Sequence, residues 1–147
     1  MRCLKEVIKA IMCLLLVVKI GYASIYQNVS NASRKYGIST KIFWAIMTVE
    51  SDYKRTIHIN SDGSFDVGLM QINSLWINSL VNKGFKADLL DDGNNINIAG
   101  YILKENMNKG YSLWQAVGLY HSRDKRLQAV YIKRVKRAIN EQRYYLD

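Results

Sequence analysis

The chain of 147 residues contains no proline. Turns therefore have to be marked by Gly, Asn, Asp and Ser rather than by a locked φ. Cysteine is nearly absent: the two, Cys3 and Cys13, both fall in the first thirteen residues. Histidine is as scarce, with His58 and His121 far apart. So few soft ligands exclude a zinc site of the usual Cys/His kind. No apolar run reaches the length of a comfortable membrane span. There is no internal repeat and no low-complexity tract.

What is present is a chain of one-domain length, 49% hydrophobic, able to bury a core. It is also basic, with formal net charge +9 and pI near 9.6. That balance favours acidic partners: nucleic acid, an anionic membrane or an anionic polymer such as a bacterial wall. Charge alone does not choose among them.

The first two dozen residues differ in kind. Arg2, Lys5 and Lys9 make a positive start, Ala10 to Val18 is an apolar run, and Gly21-Tyr22-Ala23 offers small residues where a signal peptidase reads. The pattern predicts a signal peptide over residues 1–23, followed by one domain over 24–147. Lys19 interrupts the run, and the competing expectation is a retained N-terminal anchor. Cleavage after Ala23 leaves no cysteine, so no disulfide or cysteine–metal site. It also removes four Lys/Arg and one Glu, leaving +6.

Five or six helices are predicted. The first covers about Ile25 to Tyr36, stopped at Gly37. The second covers Thr40 to Ser51, with Ser39 as N-cap. Ile57–Ile59 and Phe65–Val67 form a hairpin around Asn60-Ser61-Asp62-Gly63. A third helix starts near Gln71 and ends before Gly84. Further helices cover about Ile96 to Asn108, Leu113 to Tyr120, and the basic stretch Lys125 to Arg143. With so little strand the fold is mainly α, with a small β excursion.

In the second helix Ile42, Phe43, Ile46, Met47 and Val49 form an apolar stripe. Glu50 follows Ile46 by four residues and lies on or beside that stripe at the helix C-terminus. Lost hydration and the negative end of the helix dipole both favour the neutral acid. An acid that stays protonated near neutral pH is what glycosidic cleavage needs. The alternative is a Glu50 that curls outward to pair with Lys54 or Arg55.

Four segments then occur in order: Glu50-Ser51, Gly68-Leu-Met-Gln-Ile-Asn73, Asn97-Ile-Ala-Gly-Tyr-Ile-Leu103 and Ala116-Val-Gly-Leu-Tyr-His-Ser122. The ordered set resembles the lytic transglycosylase (SLT domain) family of the goose-type lysozyme-like fold. It resembles especially the small muramidases attached to bacterial secretion and conjugation machines. The resemblance runs from about residue 25 to 137. It implies an α+β, lysozyme-like helical domain with a short hairpin beside the cleft.

It also implies roles. Glu50 would be the catalytic acid/base, cleaving between N-acetylmuramic acid and N-acetylglucosamine and closing the muramic C6 hydroxyl onto C1. Ser51 would help hold Glu50 or the sugar. Met70, Gln71 and Asn73 would bind substrate, with Met70 as an apolar floor. Tyr120 would hydrogen-bond near Glu50 and hold it, and Tyr131 would face the cleft. Where the family usually has Asn after the tyrosine of the fourth motif, this chain has His121, read as a half-buried structural residue. No cofactor or metal is implied. The implied partners are peptidoglycan glycan strands and components of a secretion, pilus or conjugation apparatus, for an exported monomer in the periplasm or cell envelope, with no nucleic acid.

Residues Asn60 to Trp76 also resemble, locally, the active-site strand of chicken-type lysozymes, with Asp66 where those enzymes carry a second carboxylate. Asp66 keeps two readings: a second catalytic carboxylate, or an acid that orders the hairpin. The first would allow lysozyme-type hydrolysis with Glu50. Goose-type lysozymes often have an acid where Asn73 stands, which weakens that particular mechanism here. Asp62 reads as a turn residue. The Asn60–Asp66 loop lacks the closing Glu of a calcium loop. Trp44, Trp76 and Trp114 are expected in the core, with Trp76 able to edge the cleft and Tyr101 able to reach it. Two rivals of other classes remain: an inactive wall-binding assembly protein, and a cationic membrane-active protein acting through the helix over 123–143.

Overall fold

The computed structural model describes residues 2–142. Their order is α1 (Arg2–Tyr36), α2 (Thr40–Ser51), β1 (Ile57–Ile59), β2 (Phe65–Val67), β3 (Ile72–Asn73), a 3₁₀ turn (Ser74–Trp76), α3 (Ile77–Val81), α4 (Asp92–Asn108), α5 (Leu113–His121) and α6 (Lys125–Gln142). This is the expected lysozyme-like α+β architecture. The sheet is antiparallel with order β1-β2-β3, and His58 and Asn73 lie opposite Asp66 from its two sides.

α2 is the central helix. Its stripe is buried as expected, with Phe43, Ala45, Ile46 and Met47 fully enclosed. Each large apolar side chain buried this way contributes roughly 1.5–3 kcal/mol. α6 packs on α2 and α5, and α4 packs on α1 and α5. Gly100 allows the α1–α4 approach, since a Cβ there would collide with the Tyr36 ring. Ser39 caps α2, its hydroxyl accepting from Lys41 N–H at 3.3 Å.

Three boundaries differ from the sequence reading. α1 does not begin at Ile25: the apolar leader is helical and continuous with it from Arg2. No described helix is long and apolar enough to cross a membrane. The fourth helix, α4, starts at Asp92 rather than Ile96. Asp91 caps it, its carboxylate accepting from Asn94 N–H at 2.7 Å, as short acidic side chains do at helix starts. The largest difference is the third helix. Ile72 and Asn73 instead pair with Val67 and Asp66 across the sheet, and only Ile77–Val81 is α-helical. Gln71 takes a left-handed φ of 48°. A left-handed residue breaks any right-handed helix there. Asn73 then caps the 3₁₀ turn, accepting from Leu75 N–H at 2.9 Å. α6 matches the basic helix through Gln142; its expected end, Arg143, lies outside the described residues.

Candidate active site

A cleft of about 640 Å³ opens between the sheet, α3, α4 and the end of α5. Glu50, at the last turn of α2, points into it. The outward alternative does not occur. Lys54 pairs with Asp52 at 3.5 Å, and Arg55 forms a bidentate pair with Asp92 at 2.8 and 2.5 Å. Glu50 instead accepts a hydrogen bond from the Tyr131 hydroxyl at 2.5 Å.

Burial raises the Glu50 carboxyl from 4.5 to about 7. The Tyr131 bond and the nearby Arg134 pull the other way, and the charge of Asp66 adds to the rise. Arg134 also donates to the Val49 carbonyl at 3.3 Å. A cation thus sits at the negative end of α2, where it offsets the helix dipole. Without these two partners the acid would be held still higher. The result is a carboxyl that exchanges its proton near neutrality, the condition for acting as acid and then base.

Asp66 shares the cleft. One carboxylate oxygen accepts from Asn73 Nδ2 at 2.8 Å and the other from Asn60 Nδ2 at 3.1 Å. Both readings of Asp66 thus describe features of the same side chain: it faces the cleft and it ties the hairpin together. Asp62 is the turn residue expected, accepting from the backbone and hydroxyl of Ser64 at 2.9 and 2.7 Å. Among the described residues no group of His, Cys, Asp and Glu is arranged to hold a metal.

The remaining expected residues divide. Gln71 and Asn73 line the cleft. The Gln71 amide donates to the Gly68 carbonyl at 2.7 Å and to the Thr56 carbonyl at 3.1 Å. These bonds hold a strained backbone in place at the site. Tyr120 lines the cleft, but its hydroxyl donates to the Met70 carbonyl at 2.7 Å. Tyr131, not Tyr120, is the tyrosine that holds Glu50. The Met70 side chain is fully buried beneath the loop and does not form the cleft floor. Ser51 Oγ donates to the Leu69 carbonyl at 2.8 Å, so it ties the end of α2 to the loop rather than reaching into the cleft.

His121 stacks on Tyr131, ring centroids 4.4 Å apart and nearly parallel. Burial, helped by Arg134, lowers its pKa. His121 is exposed and lines the cleft, so it is not the half-buried structural residue expected. Trp76 edges the cleft, about half exposed, and Tyr101 lines the far wall. Trp44 lies partly buried between Tyr26 and Tyr53, and Trp114 lies under Lys136.

One residue escapes the sequence reading. Asn95 is fully buried, and its amide clamps the loop before the site. Its oxygen accepts from Met70 N–H at 2.8 Å, and its nitrogen donates to the Val67 and Leu89 carbonyls, both at 2.9 Å. Gly68 lies against this amide with φ +81°; a Cβ there would meet Asn95 and Leu89 at 2.6–2.8 Å. The available clue is an asparagine on the buried stripe of α4, four residues before Ala99.

Comparison with known proteins agrees with this architecture. Residues 27–142 match the family model described as the transglycosylase SLT domain. The invasion protein IagB of Salmonella typhimurium is 39% identical over 95 residues, covering 62% of this chain and 59% of the relative. Protein IpgF of Shigella flexneri is 31% identical over 94 residues, 62% of each chain. The X polypeptide of Escherichia coli K12 is 33% identical over 113 residues, 75% of this chain and 66% of the relative. The match thus spans about three fifths of the length of the first two relatives.

Proposed function

Since the chain belongs to the transglycosylase SLT domain family, we propose that it is a peptidoglycan lytic transglycosylase with Glu50 as its single acid/base. The observation that carries the proposal is the half-buried Glu50 carboxyl, raised by desolvation to about 7 and opening into a cleft. Protonated, it gives its proton to the oxygen between N-acetylmuramic acid and N-acetylglucosamine as the C1–O bond breaks. The carboxylate left behind takes the proton of the muramic C6 hydroxyl, whose oxygen closes on C1. The products are a new 4-hydroxyl on one strand and a 1,6-anhydro end on the other, with no water consumed. Tyr131 steadies the carboxylate through both steps by its hydrogen bond. Gln71 and Asn73 offer polar groups to the N-acetyl and ring substituents.

Asp66 supports a second reading, hydrolysis of the same bond. It lies close enough to Glu50 to raise its pKa, and its carboxylate is ordered by two amides while facing the cleft. Positive charge developing at C1 would be stabilised by it in either reaction.

We propose further that residues 1–23 direct export and that the enzyme opens the wall locally for a secretion or conjugation apparatus. The name of the invasion-protein relative supports that setting. The test of the reaction is digestion of purified peptidoglycan in water enriched in ¹⁸O, read by mass spectrometry. Anhydro ends without ¹⁸O, retained in Asp66→Asn, are the expected products. Reducing ends carrying ¹⁸O and needing both acids would replace the transglycosylase with a hydrolase.

A further inference from the structure

The positive charge of the chain is not spread over the domain. Residues 24–124 carry ten Lys/Arg against nine Asp/Glu, a net of +1. α6 alone carries six Lys/Arg against one Glu, a net of +5. Packing and the site use only one side of that helix. Tyr131, Val135 and Ala138 are buried against the body, and Tyr131 reaches Glu50 from this side.

At 3.6 residues per turn, Arg126, Val130, Lys133 and Arg137 fall on one stripe along the opposite side. All four are exposed. The Arg126 and Arg137 side chains are 92% and 80% exposed, and Val130 is 60% exposed. Lys125 and Lys136 flank the stripe and are exposed as well. Two described ion pairs involve α6: Arg126 with Asp124 at 3.5 Å, and Arg137 with Glu141 at 2.7 Å. Lys125, Lys133 and Lys136 belong to none of the described pairs.

Cations massed on one helix repel one another, and neither the core nor the cleft calls for them on this side. What they fit is a surface of negative charge. An acidic protein partner would need a pocket beside the stripe to seat its anchoring side chains. α6 lines neither of the two described cavities. A convex ridge of cations on long stems, with one aliphatic residue among them, instead matches a fluid layer whose anionic headgroups move to meet the charges. We propose that the outer stripe of α6 docks the domain onto an anionic lipid bilayer, with Arg126, Lys133 and Arg137 among the headgroups and Val130 at their boundary. The docked side faces away from Tyr131, so the cleft stays open to a glycan strand. The inference goes beyond the reaction at Glu50 and does not depend on it.

The test is co-sedimentation of the full chain with vesicles of phosphatidylcholine, with and without 30 mol% (about one lipid in three) phosphatidylglycerol, at about 0.1 M salt. Three proteins are compared: the parent, a ridge variant (Arg126→Gln, Lys133→Gln, Arg137→Gln), and a body variant (Lys41→Gln, Lys54→Gln, Lys86→Gln). The two variants have the same net charge, and all six replaced residues are exposed, so both should fold with the circular dichroism of the parent. Residues 1–23 are common to all three, so any affinity of their own for lipid cancels in the comparison. The parent should prefer the anionic vesicles. At roughly fivefold per basic residue at such a surface, the ridge variant should lose about a hundredfold in partition to them. The body variant should lose little, and all three should bind neutral vesicles alike. No anionic preference in the parent, or a ridge variant less than about tenfold weaker than the body variant, would overturn the inference. Binding to soluble polyglutamate is measured beside it. A stripe-dependent grip on polyglutamate without stripe-dependent binding to vesicles would also overturn it, and would assign the ridge to an acidic polypeptide.

Discussion

Replacing Asn95 by alanine removes one acceptor and two donors from the interior at a stroke. Met70 N–H and the Val67 and Leu89 carbonyls lose the partner that now satisfies them. A buried backbone group stripped of its hydrogen bond costs roughly 1–2 kcal/mol, so the three together cost about 3–6 kcal/mol. That is a large share of the ~5–15 kcal/mol that holds a typical domain together. Urea unfolding followed by tryptophan fluorescence is the assay. With a slope of about 2 kcal/mol/M, the midpoint should fall by roughly 2 M. Asn95→Asp should not rescue it, because the carboxylate keeps the acceptor for Met70 but turns charge towards two carbonyls. Activity should fall as well, since the Met70 carbonyl anchors Tyr120 and the same loop carries Gln71. A midpoint shift under about 0.5 M for Asn95→Ala would refute the clamp and the arithmetic built on it.

The other expectations follow from the same geometry. Gly68→Ala adds a Cβ at a left-handed φ against the Asn95 amide. It should destabilise by about 2 kcal/mol or more, read in the same urea assay, with strain and overpacking acting together. Folding raises the Glu50 pKa from 4.5 to about 7, so the folded state holds that proton more tightly than the unfolded chain. The stability this contributes is complete below the unfolded value and is lost as pH rises through the folded one, a change of about 3 kcal/mol. Glu50→Gln should match the parent at pH 4 and exceed it in thermal stability at pH 8; equal stability at both pH values would count against a raised carboxyl. Tyr131→Phe removes a bond to the charged form of Glu50. The pH–rate profile should then move towards higher pH by about one unit while kcat falls. An unshifted profile would mean that Tyr131 does not govern the acid.

Part of this is legible in the sequence for reasons that can be named. α2 shows itself through a stripe, a serine cap and the absence of any breaker. The hairpin shows itself through Asn60-Ser61-Asp62-Gly63. Those are local signals. The early start expected for the third helix marks where local signals fail: Leu69, Met70 and Ile72 are apolar at helix-compatible spacing, but the backbone of Ile72 and Asn73 is claimed by β2, and the helix begins only at Ile77. Glu50, Asp66, Gln71 and Asn73 each stand out by residue type and position, and they do meet in one cleft. Which tyrosine bonds Glu50 is not a local matter, because it depends on how α6 packs on α2, 81 residues away. Asn95 is easily passed over because an amide on an apolar stripe looks like a flaw. In physical terms it is a signal, since a buried amide is tolerated only when its bonds are met.

The central claim is that Glu50 alone supplies and recovers the proton of the reaction. The measurement that bears on it most directly is the release of anhydro-muropeptides from purified peptidoglycan by the parent chain and by Glu50→Gln, with near-identical circular dichroism for both. The account predicts anhydro products from the parent and a loss of about a thousandfold or more in the variant, the scale on which acid–base groups contribute. Anhydro products released at similar rates by the variant, or none from either chain, would contradict it.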